Sequence, residues 1–259
     1  DIDGDGQLNN SIHADQMDIV PSQNYSNSNP QVFIANDGGV YSTNNIWSVS
    51  QNSGWIAHNT TFANTQLYGF AVSDNGEHLV AGAQDNSFSF STNTGQTWGY
   101  DVNGDGSSAE IHPNNENIMY ANTNGNQIFK TTNGGNSWDF IAGFNNTCNP
   151  PCLSGCNCGG AFLVQDNANL ISIFKMDEDN PDVLFACSSG LWMNDNAGDP
   201  DDWTQIKTSI VGRFITKVEP LYNSSMLIVG YDNGRVEQGV LNGSGTFNWS
   251  GDISDSNAP

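Results

Sequence analysis

The chain is poor in positive charge, in histidine and in long apolar runs, and each shortage bears on a class of function. Only 6 of its 259 residues are Lys or Arg against 28 Asp and Glu, a formal net charge of −22. The six are Lys130, Lys175, Lys207, Arg213, Lys217 and Arg235, and they form no basic patch, although Lys207, Arg213 and Lys217 are near one another in sequence. Nucleic acid and anionic lipid are therefore not expected partners, because nothing here neutralises their phosphates. No run of about 18 apolar residues occurs, so membrane insertion by a helix is not expected either. Four histidines are present (His13, His58, His78, His112), and no Gly-x-Ser-x-Gly elbow accompanies them, so a Ser-His-Asp hydrolase is unsupported.

What is present is repetition. Ser91 to Trp98 reads STNTGQTW and Thr131 to Trp138 reads TTNGGNSW, in register at a spacing of 40. Each box holds a hydroxyl residue (Ser91, Thr131), an Asn two on (Asn93, Asn133), a Gly four on (Gly95, Gly135) and a Trp seven on (Trp98, Trp138). That pattern suits a β-hairpin turn: the hydroxyl and amide bond nearby backbone and Gly takes a positive φ. The Trp starts the return strand and buries a large aromatic face. A unit of roughly 40 residues with one Gly and one aromatic is the signature of a propeller blade.

The flanks extend two copies to five. β-rich runs with a Gly or Asn turn occur at 31–43 (QVFIANDGGVYST), 78–91, 117–132, 182–194 and 226–238 (MLIVGYDNGRVEQ). Asp37-Gly38-Gly39, Gln84-Asp85-Asn86 and Asp232-Asn233-Gly234 recur at the same place in their blades and read as hairpin turns. The expected fold is all-β: a β-propeller of four-stranded antiparallel blades with box turns, about five in this chain and part of a larger propeller. The layout is an acidic lead-in loop over 1–12, blades over 13–250 with an insertion at about 145–167, and a tail or the start of another segment over 251–259.

The two good boxes resemble the Asp-box (BNR) repeat, with Asn93 and Asn133 where Asp is usual. From about His13 to Trp249, segments such as HADQMDIVPS and AEIHPNNENIMYANTNGNQIFKTTNGGNSW are similar to secreted Asp-box propellers of the Bacteroidota exported by type IX secretion. The resemblance implies an extracellular or cell-surface location, and a superfamily that includes sialidases, xyloglucanases and sortilin-like receptors. Sialidases of this fold hold the substrate carboxylate with three arginines, and this chain has two, Arg213 and Arg235. Lys does not replace that planar clamp. The sialidase Tyr/Glu nucleophile pair does not stand out in the sequence either. A xyloglucanase-like glycoside hydrolase needs only two carboxylates about a cleft; the candidates are Asp15, which with His13 shares one face of a strand implied to line the channel, and Asp85. Trp47, Trp55 and Trp192 are candidate sugar-stacking surfaces.

Two local features remain. Cys148, Cys152, Cys156 and Cys158 sit in NNTCNPPCLSGCNCGG, read as a disulfide-stapled surface loop of an oxidising compartment, with four-thiolate zinc binding as the rival. Cys187 in VLFACSS reads as a buried thiol. Asp1, Asp3 and Asp5 in DIDGDG offer weak Ca²⁺ binding, but Ile12 stands where a calcium loop needs its bidentate carboxylate, so an interblade turn is the competing reading. No other cofactor is expected. The leading expectation is a non-catalytic binding or scaffold module for a glycan or a secreted or surface protein, working with the rest of the same polypeptide. The alternative is the hydrolase.

Overall fold

Strands of two to seven residues, cut by Asn-, Asp-, Gly- and Pro-containing turns, account for nearly all the regular structure in the computed structural model. The described residues are 12, 16–36, 38–50, 52–59, 65–84, 86–100, 104–143, 161–162 and 173–254. Blade one is β1 (Gln16–Pro21), β2 (Val32–Asn36), β3 (Gly39–Thr43) and β4 (Ile56–Ala57). Blade two is β5 (Leu67–Val72), β6 (Leu79–Ala83), β7 (Phe88–Ser91) and β8 (Gly99–Tyr100). Blade three is β9 (Ala109–Ile111), β10 (Met119–Thr123), β11 (Gln127–Thr131) and β12 (Asp139–Gly143), with a short β13 (Ala161–Phe162) added in parallel. Blade four is β14 (Phe174–Met176), β15 (Leu184–Cys187), β16 (Leu191–Asn194) and β17 (Trp203–Lys207). Blade five is β18 (Ile215–Leu221), β19 (Met226–Tyr231), β20 (Val236–Leu241) and β21 (Phe247–Trp249). Each blade is an antiparallel meander in chain order, as the repeat predicts.

The second strands are the apolar runs of the sequence, and in blades three and four both of their faces are packed. β10 is buried at all five residues and β15 at all four. Outer strands have one wet face and read as polar, as in β17 with WTQIK. The chain divides into two compact units, Asp1–Thr65 and Gln66–Pro259. The first holds blade one, packed about Val32, Ile34, Tyr41 and Trp55. In the second, three cores lie between successive blades. Val80 and Phe88 of blade two meet Met119, Phe129 and Trp138 of blade three. Tyr120, Ile128 and Ile141 of blade three meet Phe174, Met176 and Leu184 of blade four. Phe185 and Leu191 of blade four meet Ile215, Val218, Leu227 and Val229 of blade five.

The boxes are tied by their own polar atoms. The Ser91 hydroxyl donates to Asn93 Oδ1 at 2.9 Å and accepts from the Gly95 amide at 3.0 Å, while the Thr97 amide donates to Asn93 Oδ1 at 2.9 Å. Thr131, Asn133, Gly135 and Ser137 repeat this at 2.9, 3.0 and 3.0 Å. The asparagine Oδ1 accepts from the backbone, and its amide adds a bond to Thr97 or Ser137. Blade four keeps the turn with Asn194 in the hydroxyl's place, accepting from the Asn196 and Gly198 amides at 3.1 and 2.8 Å.

Trp138, Trp203 and Trp249 each pack back onto the blade before them. The Trp138 ring lies 4.7 Å from Phe88 and 5.5 Å from Phe90, both on β7. Trp203 joins the core between blades three and four, and Trp249 donates to the Ile206 carbonyl of β17 at 3.1 Å. Trp98, in the unit's first blade, is 47 % exposed. Gly135 sits in the same contact: its φ is +86° and an added Cβ would stand 2.2 Å from a Phe90 ring carbon. Gly95 has a similar φ of +75°, but its Cβ would meet nothing nearer than the end of Leu79 at 3.2 Å, with Trp98 at ordinary contact distance. Gly135→Ala is expected to cost about 2–4 kcal/mol, adding left-handed strain to overpacking. Gly95→Ala meets the strain alone and is expected to cost about 1–2 kcal/mol. Urea unfolding of the two variants measures the difference; equal losses would put the weight on backbone strain.

Candidate functional site

The first strands of blades two to five bring a group of charged side chains together. They bound a cavity of about 770 Å³. β5 lends Tyr68, Phe70 and Val72, β9 lends Glu110, β14 lends Lys175 and β18 lends Lys217. Asp74 follows β5, and Glu178 and Asp179 follow β14. Alternation along β5 puts Tyr68, Phe70 and Val72 on one face, while Ala71 on the other packs into the core against blade three.

Glu110 and Lys175 are the centre of this wall. Lys175 Nζ lies 3.4 Å from Glu110 Oε1 and 3.3 Å from Glu178 Oε1. Glu110 also accepts from the Met176 amide at 3.4 Å, so β9 and β14 are joined by a charge pair as well as by packing. Burial pushes the Glu110 carboxyl above its ordinary value despite Lys175. Burial also pulls on the Lys175 ammonium, but the charges of Glu110 and Glu178 more than reverse it and hold it above its ordinary value. Desolvation therefore wins at the acid and pairing at the base, which keeps the pair poised and Lys175 protonated.

A second cavity of about 400 Å³ lies between blades three and four, lined by Lys130, Asp139, Asn196 and Asp199. Its lysine is engaged: Lys130 Nζ donates to the Ala197 carbonyl at 2.7 Å and lies 5.7 Å from the centre of the Tyr120 ring. Burial lowers Lys130, against the charges of Asp182, Asp199 and Asp139.

The structure also brings together a Tyr–Glu pair that does not stand out in the sequence. The β19–β20 hairpin brings the Tyr231 hydroxyl within 3.2 Å of Glu237 Oε2. Glu237 is paired with Lys207 at 2.5 Å and with Arg235. The group is nonetheless structural. Tyr231 and Glu237 are 4 % and 1 % exposed, and burial followed by the Glu237 charge pushes the Tyr231 phenol up, the reverse of an activated nucleophile. Its one signal in the sequence is Arg235 and Glu237 two apart on one strand face, in an otherwise apolar and polar-neutral run.

Of the residues singled out from sequence, Asp15, Asp85, His13, the acidic Asp1, Asp3 and Asp5, and Cys148, Cys152, Cys156 and Cys158 lie outside the described residues. Ser91, Asn93, Gly95, Trp98, Thr131, Asn133, Gly135 and Trp138 form the two box turns and line neither cavity. Cys187 is a free, buried thiol, pushed up by burial. No group of three or more His, Cys, Asp or Glu suited to a metal occurs among the described residues. Trp55 and Trp192 are taken up in packing, and Trp47 is 70 % exposed. Sequence reasoning missed Glu110, Lys175 and Glu178, because the first two come from different blades and neither sits in a motif.

No family model matches the chain, and no curated protein sequence matches it. Solved structures do. A β-propeller domain of Cps50 (Swd1) from Myceliophteria thermophila is 10% identical with a TM-score of 0.50, over 93% of this chain and 75% of that one. The GH74 enzyme of Niastella koreensis is 16% identical with a TM-score of 0.50, over 88% of this chain and 36% of that one. The chain thus spans about a third of that enzyme's length. At such identities the likeness is one of fold: this chain is built of β-propeller blades.

Proposed function

We propose that the chain is an extracellular or cell-surface propeller module that binds its ligand without turning it over, in the cavity along the first strands of blades two to five. The observation that carries this is the Lys175 ammonium seated between Glu110 and Glu178. A hydrolase needs its two carboxylates free to reach a glycosidic oxygen and a water or anomeric carbon, and here a protonated lysine occupies both. The acidic, Lys- and Arg-poor composition and the clustered cysteines support the extracellular setting. The Asp-box hydrogen bonding of Ser91–Asn93 and Thr131–Asn133 supports kinship with the surface propellers exported by type IX secretion.

The second reading is a glycoside hydrolase, favoured by one observation: burial raises the Glu110 carboxyl above its ordinary value beside the more exposed Glu178, two carboxyl groups in unlike surroundings. Asp15 and Asp85 remain its other candidates. Incubating the chain with β-glucans and xyloglucan is expected to release no reducing ends. Release that disappears in Asp15→Asn, Asp85→Asn or Glu110→Gln would replace the binding reading with the enzymatic one.

A further inference from the structure

We infer that the ligand of this cavity is an extended polypeptide segment with basic side chains alternating with apolar ones. The inference rests on the reading of the cavity as the binding site and names what fills it.

The apolar part of the wall has the period of a strand. Tyr68, Phe70 and Val72 are 43, 52 and 53 % exposed, on alternate positions of one strand. Residues two apart in a strand are about 6.8 Å apart, the same repeat as the side chains of a chain laid alongside. β5 is also the edge of its sheet, hydrogen-bonded to β6 on one side only, and an edge strand presents unpaired backbone groups to an added strand. The Tyr68 hydroxyl donates to Gln84 Oε1 at 2.6 Å, so the ring is held in place while its face stays open. An aromatic ring fixed before binding loses little freedom on contact.

The charge of the wall selects a cation. Lys175 is shared between Glu110 and Glu178. The described wall as a whole carries four carboxylates, Asp74, Glu110, Glu178 and Asp179, against the two ammonium groups of Lys175 and Lys217, in a chain of net charge −22. Carboxylates beside open aromatic faces are the surroundings that hold guanidinium and ammonium groups, by ion pairing and by cation–π attraction. A neutral glycan needs side chains that both donate to and accept from its hydroxyls. The chain is rich in Asn and carries seven Trp, yet no Asn, Gln, His, Arg or Trp lies among the described residues of this wall, and its hydroxyls, on Tyr68, Ser73 and Ser108, are each already bonded within the protein.

The test is fluorescence anisotropy with a labelled octapeptide alternating arginine and valine. Its comparators are the same residues in two blocks, an alternating glutamate–valine peptide, and cellohexaose as a competitor. The alternating basic peptide is expected to bind at least ~10-fold more tightly than the block or acidic peptides. Binding should weaken about 10-fold between 0.05 and 0.5 M salt. Phe70→Ala should weaken it about 5- to 10-fold and Asp74→Asn about 3-fold, each without change in thermal midpoint, because both side chains are solvent-exposed. Equal binding of the block peptide, or binding indifferent to Phe70→Ala, would reduce the effect to bulk charge attraction and overturn the inference. Binding of cellohexaose alone, lost in Phe70→Ala, would overturn the ligand class and leave the cavity as the site. No binding of either probe would overturn both.

Discussion

Trp138→Ala is expected to destabilise the chain by about 3–5 kcal/mol, the usual cost of removing a fully buried large aromatic. Trp98→Ala at the equivalent position of the preceding box should cost about 1 kcal/mol or less, as for a surface substitution. The sequence makes the two residues equal; packing makes them different. Trp138 is 1 % exposed and clamped against Phe88 and Phe90, so its loss opens a void between blades two and three. Trp98 is 47 % exposed, and its indole donates only to its own turn, to the Gly95 carbonyl at 3.1 Å. Equilibrium unfolding in urea reads both. Similar losses at the two positions would mean that the boxes act through turn geometry and not through packing between blades.

Glu237→Gln should cost about 3 kcal/mol at neutral pH, because it keeps the shape and removes the one anion holding two cations at a buried site. The Lys207 and Glu237 side chains are 11 % and 2 % exposed, and Lys207 also lies 4.4 Å from the centre of the Trp249 ring. Burial alone would raise the Glu237 carboxyl; the hydrogen bonds and charges of Lys207 and Arg235 outweigh it and hold it below its ordinary 4.5. For an acid whose folded value is depressed, the stabilisation is complete above the unfolded value and disappears as pH falls through the folded one. The gap between wild type and Glu237→Gln should therefore be constant from neutral pH down to about pH 5 and shrink below pH 4.5. A gap that persists unchanged at pH 2 would show that the carboxylate's charge is not what stabilises the hairpin.

What the sequence could disclose was what lies close along the chain. The boxes were legible because Ser91, Asn93, Gly95 and Trp98 act within eight residues, and their spacing is their hydrogen-bond pattern. The blade order followed from the apolar second strands and the turns after them. The charged wall was not legible, because Glu110 and Lys175 are 65 positions apart and meet only when blades three and four pack. The Tyr231–Glu237 contact was hidden for a milder reason: it depends on the register of the β19–β20 hairpin, which places Val229 opposite Glu237 and lets Tyr231 reach across. The different surroundings of Trp98 and Trp138 escaped for a third: identical boxes do not reveal which neighbour each faces.

The backward lean of Trp138, Trp203 and Trp249 onto the sheet made before it gives assembly a direction. During synthesis a new hairpin emerges with its partner surface already formed upstream, so it closes on a template and does not wait for downstream residues. Growth of the array is then vectorial, with each added sheet sealing the one translated earlier.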